Sequence, residues 1–267
     1  PHEFEGVAMI FATWLYAFQI YFDFSGYTDM AIGAAMILGI KLLPNFDRPY
    51  FAISIQDFWK RWHISLTAWL TDYIYTPITR AKWIKIKLYN LILIALMITF
   101  IVSGAWHGSH WTFVLWGALH GLYIVLSLLL QKPWNNFARK AGFVRFPRTY
   151  NAFKILRTFA LVCFAYILFR AATIEDALYM MSALFTGWDS IGAGLRSVYA
   201  EEAGSLALGL IGIVVVMAPE FFAGKTRVAA DGAQLWRTTW PIYGMMVAIA
   251  LFGAFDGIGQ QFIYFRF

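Results

Sequence analysis

Long apolar runs separated by short polar stretches dominate the pattern of residues along the chain. A helix that crosses a membrane needs about 20 mostly apolar residues, and several runs reach or approach that length. We predict spanning helices over residues 7–22, 25–43, 88–105, 111–130, 155–171, 205–222 and 240–255. The first two form a pair joined by a tight break at residues 23–26, and residues 176–185 form a shorter helix.

Residues 44–80 interrupt this pattern because they are too polar to span a membrane. Ser54 and Asp57 have the spacing of a helix capping box, with Asp in place of the usual Glu. The helix predicted over residues 54–70 carries an apolar stripe at helical spacing, formed by Ile55, Phe58, Trp59, Trp62, Leu66, Trp69 and Leu70. Asp57 and Arg61 form a favourable pair on another side. We predict an interfacial or re-entrant helix, which at membrane depth must be surrounded by protein or line a cavity.

The composition indicates a polytopic membrane protein. Of the 267 residues, 60% are hydrophobic and 13% are charged, whereas an average soluble domain is roughly 25% charged. These values exclude a disordered chain, a coiled coil and a nucleic-acid-binding domain. The single cysteine, Cys163, excludes an internal disulfide and a multi-cysteine zinc site. The chain starts at Pro1 without a signal-peptide pattern, so we expect one membrane domain over residues 1–267 and further spanning segments upstream.

The net charge of +6 is explained by the placement of the basic residues. Residues 80–87 and 132–157 carry basic side chains without acidic neighbours, whereas residues 173–204 are mostly acidic. The positive-inside rule therefore places the basic loops in the cytoplasm and the acidic loop outside. No glycine-rich cradle accompanies the basic runs, so a topology signal explains them better than phosphate binding does.

Two histidines are the main candidates for chemistry, because ionisable groups at membrane depth are costly. His107 follows the apolar run that ends at Trp106, and Gly104 and Gly108 allow a backbone or substrate to come close. An imidazole is a natural base for a hydroxyl near neutral pH. The alternative is a structural histidine bonded to a carbonyl. His63, on the apolar stripe, is the second candidate, with packing as its alternative role.

Other polar side chains have weaker claims. His107 and His110 have the spacing of two metal ligands, but no nearby carboxylate completes a set, and we predict no metal. His120 is expected to form a hydrogen bond between helices. Asp29 and Ser25 belong to a polar island between apolar segments, for which a structural hydrogen-bond network is the alternative to function. No nucleophile elbow or Cys–His pair supports covalent catalysis.

Three stretches carry a further signal when they are taken in order. They are YFDFSGYTDMAIG at residues 21–33, FWKRWHISL at 58–66 followed by DYIY at 72–75, and WHG at 106–108 with Trp111, His120 and Gly121. Together they resemble the membrane-bound O-acyltransferase family. The branch is the bacterial one that contains the alginate O-acetyltransferase membrane subunit and the teichoic acid D-alanyl transfer protein. The closing FIYFRF at 262–267 is also similar to the end of that branch.

The resemblance implies an all-α fold, a ring of tilted transmembrane helices around a tunnel, with the family's N-terminal helices missing. It maps the family's near-invariant histidine onto His107 and the branch's second active-site histidine onto His63. His107 would act as a base towards the accepting hydroxyl, and His63 would orient it or support charge on the carbonyl oxygen. Substrate-contacting or tunnel-lining roles are expected for Trp106, Gly108, Trp62, Arg61, Asp29 and Ser25.

The implied activity is O-acyl transfer in the inner membrane of a bacterium. An acetyl group would leave a cytoplasmic thioester such as acetyl-CoA and cross the membrane for O-acetylation of an alginate-like polysaccharide. We expect no bound cofactor and no nucleic acid. The expected partners are membrane lipid, the acyl donor, the polysaccharide and extracytoplasmic acetyltransferase proteins. The alternatives are D-alanyl or other acyl transfer to teichoic acid or peptidoglycan, and a non-catalytic transporter or scaffold subunit.

Overall fold

All regular structure in the described part of the chain is helical. The computed structural model describes residues 5–188 and 203–222, and the chain divides into two compact units, Pro1–Gly194 and Leu195–Phe267. The helices of the first unit are α1 (Val7–Ile37), α2 (Ile55–Trp59), α3 (Ile64–Leu70), α4 (Thr76–Arg80), α5 (Leu88–Trp106), α6 (Trp111–Lys140), α7 (Pro147–Arg170) and α8 (Ile174–Ala183). The second unit contains α9 (Ala203–Phe222). The predicted span over residues 240–255 lies outside the described residues, and the single domain stays a prediction.

Four helices in the described residues are long and apolar enough to cross a membrane. They are α1, α5, α6 and α7. Their length and composition confirm the predicted all-α, multi-pass membrane fold. Helix α8 matches the predicted shorter helix within a few residues, and α9 covers the predicted span over 205–222. The ring of helices around a tunnel stays a prediction.

Helix α1 contradicts the predicted pair of helices, because it continues without a break through residues 23–26. The hydroxyl of Ser25 donates to the carbonyl of Phe22 at 3.4 Å, so it supports the turn that it was expected to break. Gly26 weakens a helix by about 1 kcal/mol but does not end it. The helix ends at Ile37, before the predicted residue 43, and Gly39 follows with a φ of 73°.

The predicted helix over residues 54–70 is two helices, α2 and α3, with a turn between them. Ser54 caps α2 as predicted, because its side chain accepts from the N–H of Asp57 at 3.1 Å. The predicted apolar stripe is buried except at Trp69, which is 51% exposed. The stripe stays buried across the turn because α2 and the turn pack against α1, α6 and α7.

Helices α5 and α6 approach each other closely through a pair of glycines. A Cβ atom on Gly117 would overlap the carbonyl oxygen of Phe100, and one on Gly104 would overlap the carbonyl oxygen of Phe113. Both obstacles are backbone atoms, which cannot rotate away as a side chain can. The two glycines therefore set the distance between α5 and α6, and with it the position of the segment that joins them.

Candidate active site

His63 lies in the turn between α2 and α3 and not inside a helix. Its backbone has a φ of 46° and a ψ of 54°, a left-handed conformation that costs a residue with a side chain about 1–2 kcal/mol. The imidazole is 9% exposed and lies edge-on to the ring of Phe24 in α1, with 4.7 Å between the ring centroids. The turn therefore packs His63 against α1.

Asn45 holds this turn in place. Its carbonyl accepts from the backbone N–H of Ile64 at 3.1 Å. Its side-chain oxygen accepts from the N–H of Ser65 at 3.2 Å and from the Ser65 hydroxyl at 2.6 Å. Its amide nitrogen donates to the hydroxyl of Thr28 in α1 at 3.4 Å. Asn45 thus fixes the residues that follow His63 and ties them to α1.

His107 is the residue that follows α5. Its backbone N–H donates to the carbonyl of Gly104 at 3.0 Å, and its side chain is 4% exposed. The imidazole lies edge-on to the rings of Trp116 in α6 and Phe169 in α7, at centroid distances of 5.1 Å and 5.3 Å. Gly108 follows with a φ of 156°. His107 therefore lies at the junction of α5, α6 and α7.

The indole of Trp106 contacts both candidate histidines. Its ring centroid lies 6.1 Å from that of His63 and 5.0 Å from that of His107. Trp106 is 57% exposed, whereas both imidazoles are buried. The fold therefore brings two histidines that are distant in the sequence into contact with one half-exposed side chain.

Burial keeps both imidazoles neutral at pH 7. It lowers the pKa of His63 to about 4. It also lowers the pKa of His107 to about 3, and repulsion by a protonated His63 adds to the effect. The cause is that a charged ring loses its hydration when it is buried. The Nδ1 atom of each ring is shielded from solvent and has no hydrogen-bond partner among the described residues.

Arg61 and Trp62 precede His63 and brace the turn. The Nε of Arg61 donates to Oδ1 of Asp57 at 2.8 Å, which confirms the predicted pair. Trp62 is 4% exposed, and its ring lies 6.0 Å from that of Tyr166 in α7. Contact of Arg61, Trp62, Trp106 or Gly108 with a substrate stays a prediction.

Ser25 and Asp29 lie on a different face of α1 from the one that meets His63. The face towards His63 carries Phe24 and Thr28, both of which are buried. Each residue of an α-helix is rotated by about 100° from the one before it, so Ser25 and Asp29 lie on a neighbouring face. Their tunnel-lining roles stay predictions.

His120 connects α6 with α2. Its Nδ1 accepts a hydrogen bond from the indole N–H of Trp59 at 3.2 Å, and the side chain is 0% exposed. This confirms the predicted hydrogen bond between helices. A second bond, from the side-chain amide of Gln56 to the hydroxyl of Ser127, also joins α2 to α6.

A cavity of about 280 Å³ lies where the end of α7 meets α1 and α8. Its wall includes Met9, Thr13, Tyr16, Tyr166, Arg170 and Asp176. The guanidinium of Arg170 lies over the ring of Tyr16, 5.8 Å from its centroid. Asp176 belongs to the cap of α8, where its carboxylate accepts from the hydroxyl of Thr173 at 3.0 Å. Arg170 is therefore the cation that this cavity presents.

Aromatic side chains connect the cavity with the histidines. Tyr166, in the cavity wall, lies 6.4 Å from Phe169 between ring centroids. Phe169 in turn contacts His107, and Tyr166 contacts Trp62, the residue before His63. One or two aromatic rings therefore separate the cavity from each imidazole.

Sequence reasoning missed Asn45, Phe24 and Phe169. Asparagine beside a proline break is a usual turn residue that bonds to nearby backbone, so Asn45 carried a weak signal. The two phenylalanines carried none, because their contacts depend on how the helices pack. Among the described residues, no group of three or more His, Cys, Asp or Glu side chains could hold a metal ion.

Comparison with known proteins assigns the chain to a family. Residues 1–172, which include both candidate histidines, match the membrane-bound O-acyltransferase (MBOAT) family. The chain belongs to the MBOAT family. This confirms the resemblance carried by the three sequence stretches.

The MBOAT relatives come from the branch that the sequence indicated. A probable alginate O-acetylase of Pseudomonas aeruginosa is 33% identical over 231 residues, which cover 81% of this chain and 42% of the relative. A peptidoglycan O-acetyltransferase of Helicobacter pylori is 41% identical over 170 residues, 63% of this chain and 30% of the relative. A teichoic acid D-alanyltransferase of Bacillus subtilis is 34% identical over 158 residues, which cover 58% of this chain and 39% of the relative. The chain spans about half the length of these curated relatives or less.

Proposed function

We propose that this protein is an O-acyltransferase of a bacterial inner membrane that delivers acetyl groups for O-acetylation of an extracytoplasmic polysaccharide. The observation that carries the proposal is the pair of buried, neutral imidazoles of His63 and His107, both of which contact Trp106. Membership of the MBOAT family and the names of the relatives support the reaction class.

The reaction transfers an acyl group from a thioester to a hydroxyl. Nε2 of His107 takes the proton of the accepting hydroxyl while its oxygen attacks the thioester carbonyl carbon. The C–S bond then breaks, and the departing thiolate takes the proton from the imidazolium. An unprotonated imidazole suits the first step. The Nδ1 atom of His107 is the shielded one, which supports Nε2 as the nitrogen that acts.

His63 supports the carbonyl oxygen, which becomes negative during attack. A neutral imidazole can donate one N–H hydrogen bond to such an oxygen. The left-handed turn and its hydrogen bonds with Asn45 fix the position of this ring. A hydrogen-bond donor that is already in position lowers the activation barrier more than one that must first reorganise.

The acceptor approaches through the cavity beside Arg170. The cavity lies at the end of α7 where the 106–110 segment also lies, because α5, α6 and α7 follow one another up and down. The basic loops lie at the other end, and the positive-inside rule makes that end cytoplasmic. The thioester donor therefore enters from the basic end, and the hydroxyl acceptor, or the partner protein that carries the acetyl group onward, meets it from the outer end.

Acetyl is the acyl group that the comparisons favour over D-alanyl. The alginate O-acetylase match covers 81% of this chain, whereas the teichoic acid D-alanyltransferase match covers 58%. Transfer of D-alanine remains the second candidate, because that relative is also 34% identical. A transfer assay that offers both acyl groups as thioesters decides between them.

The decisive experiment measures transfer of radiolabelled acetyl groups by the full chain in proteoliposomes, with and without His107→Gln. Loss of a general base costs about 10²–10⁴-fold, so we expect at least a hundredfold drop with an unchanged melting temperature. The matched control is His110→Gln, because His110 is exposed and lies three residues away. Activity of His107→Gln within twofold of the wild type, or no acetyl ester formed by the wild type, overturns the proposal.

A further inference from the structure

Five buried polar atoms next to the proposed base have no hydrogen-bond partner among the described residues. They are Oγ of Ser103, Nδ1 of His107, Oγ1 of Thr112, Nε1 of Trp116 and Nε2 of His120. Each of these residues is 4% exposed or less. An unsatisfied buried polar group costs about 1–3 kcal/mol, so a row of such atoms along α5 and α6 indicates a place for a polar ligand.

The helix register places these residues together. Thr112, Trp116 and His120 follow one another at intervals of four on α6, and such residues share one face of a helix. Ser103 lies four residues before His107. Ring contacts join the two sets: the centroid of Trp116 lies 5.1 Å from that of His107 and 4.9 Å from that of His120.

The hydrogen-bonding character of the five atoms identifies the ligand. Trp59 donates to Nδ1 of His120, so Nε2 of His120 carries the proton and is a donor. The indole nitrogen of Trp116 is also a donor, and Nδ1 of His107 is one when Nε2 is the base. The hydroxyls of Ser103 and Thr112 can accept. A cation is repelled by the N–H donors, whereas water can accept from two of them and donate to both hydroxyls.

We propose that a buried water accepts from Nδ1–H of His107 and from the indole N–H of Trp116 and donates to the hydroxyls of Ser103 and Thr112, and that Ser103, Thr112 and Trp116 are positioning residues. The inference rests on the proposed function for its consequence in catalysis. By accepting from Nδ1–H of His107, the water holds the imidazole in one tautomer and leaves Nε2 free to take a proton. Buried waters typically satisfy about three protein groups, and loss of one such group frees the ring to exchange tautomers.

The test uses two substitutions that remove a hydroxyl with little change of shape, Ser103→Ala and Thr112→Val. We expect each to lower kcat about tenfold, the effect of one hydrogen bond, with KM unchanged within twofold. Because both hydroxyls bind the same water, the double variant is expected to lose little more than either single one. Thr112→Ser, which restores the hydroxyl, is expected to restore kcat.

Thr99→Val is the matched control. Thr99 is a buried threonine of α5 whose hydroxyl donates to the carbonyl of Ala95 at 2.7 Å, so it needs no water and kcat should stay unchanged. The activity-independent readout is the ¹⁵N spectrum of histidine-labelled protein in nanodiscs. We expect one Nδ1–H tautomer for His107 in the wild type and in Thr99→Val, and a mixture in Thr112→Val.

An unchanged kcat and an unchanged tautomer in Thr112→Val, or a density map at high resolution that shows this place dry, overturns the inference. The proposed function fails separately, by absence of acetyl transfer in the wild type. The ¹⁵N spectrum of the resting protein tests the water in either case.

Discussion

The two candidate histidines, His63 and His107, are held in place by different interactions. His63 occupies a left-handed turn that its own side chain disfavours, and the hydrogen bonds that Ser65 donates to Asn45 maintain it. His107 follows the last turn of α5 and is fixed by rings from α6 and α7. Both arrangements bury an imidazole in the neutral form, which is the form that the proposed base, His107, and the proposed donor, His63, need.

The first prediction concerns the pH dependence of transfer. Because burial lowers the pKa of His63 to about 4 and that of His107 to about 3, neither ring takes up a proton on going from about pH 8 to about pH 5.5. We expect kcat/KM to stay flat over this range, measured with the full chain in nanodiscs. A half-maximal rate near the ordinary imidazole pKa of about 6.5 would contradict the burial of the working base.

The same pKa values fix the sign of the stability change. The unfolded chain binds protons at its imidazoles below about pH 6.5, whereas the folded protein does so only near pH 4 and below. The free energy of unfolding should therefore fall as the pH drops from about 6.5 to about 4.

The second prediction concerns Asn45. Replacing it by alanine removes the acceptor for Ser65 and the donor to Thr28, so the turn at His63 relaxes. We expect a loss of about 1–2 kcal/mol of stability and at least a tenfold loss of transfer, which is more than the stability change explains at the assay temperature. Asn45→Asp keeps the acceptor and should lose less. Exposed Asn151→Ala is the control, and wild-type transfer by Asn45→Ala would show that Asn45 does not position His63.

At the level of elements, small residues have opposite consequences in two helices. Gly26 in α1 has open space where a Cβ would stand, and the helix continues through it. Gly117 in α6 faces the backbone of α5 across a contact that leaves no room for a Cβ. Gly26 therefore weakens its helix without a packing role, whereas Gly117 determines how closely α5 and α6 approach each other.

The third prediction uses this contrast. Gly117→Ala must push α5 and α6 apart, so we expect destabilisation of about 1–3 kcal/mol and a fall in transfer, because α5 leads into His107. Gly26→Ala should instead stabilise the protein by about 0.5–1 kcal/mol, since alanine is the better helix former. Thermal unfolding in detergent and the acetyl-transfer assay measure both. If the two substitutions changed stability and transfer equally, the contact between α5 and α6 would not be the cause of the loss in Gly117→Ala.

At the scale of the whole molecule, charge and packing separate the two ends of the bundle. The C-terminal end of α6 is basic, with Arg139 and Lys140 in its last turn, whereas the C-terminal end of α7 leads from Arg170 to the acidic start of α8. The cavity with Arg170 lies at this second end, within one or two aromatic rings of both histidines. The arrangement fits a donor and an acceptor that arrive from opposite sides.

The fourth prediction tests the acceptor side. A carboxylate on the acceptor would pair with Arg170, and a hydrogen bond to a charged group contributes about 1.5–3 kcal/mol. We therefore expect Arg170→Gln to raise KM about tenfold for an oligouronate, and Arg170→Lys to raise it less. KM for a neutral oligoglucoside of equal length should stay within twofold. Lys132→Gln, at the basic end, is the control, and equal shifts for both acceptors would exclude a role for Arg170 in recognising charge.

The sequence by itself determined the class of the protein, and it predicts the depth of the candidate residues in the membrane. Apolar runs of sufficient length must be helices in a membrane, because a spanning segment has to satisfy its own backbone hydrogen bonds. The same local rules identified the cap of α2 and the Asp57–Arg61 pair. Both depend only on neighbours along the chain, and that is why they could be predicted.

Tertiary structure decided the rest, because it depends on contacts between residues far apart in the chain. Local pattern suggested a break in α1 and an unbroken helix at His63, and packing reversed both. Helix α1 continues without a break, while the hydrogen bonds of Asn45 with Ser65 and Thr28 hold the left-handed turn. Only the close approach of α5 and α6 and the packing of α2 and the turn after it bring His63 and His107 into contact with Trp106.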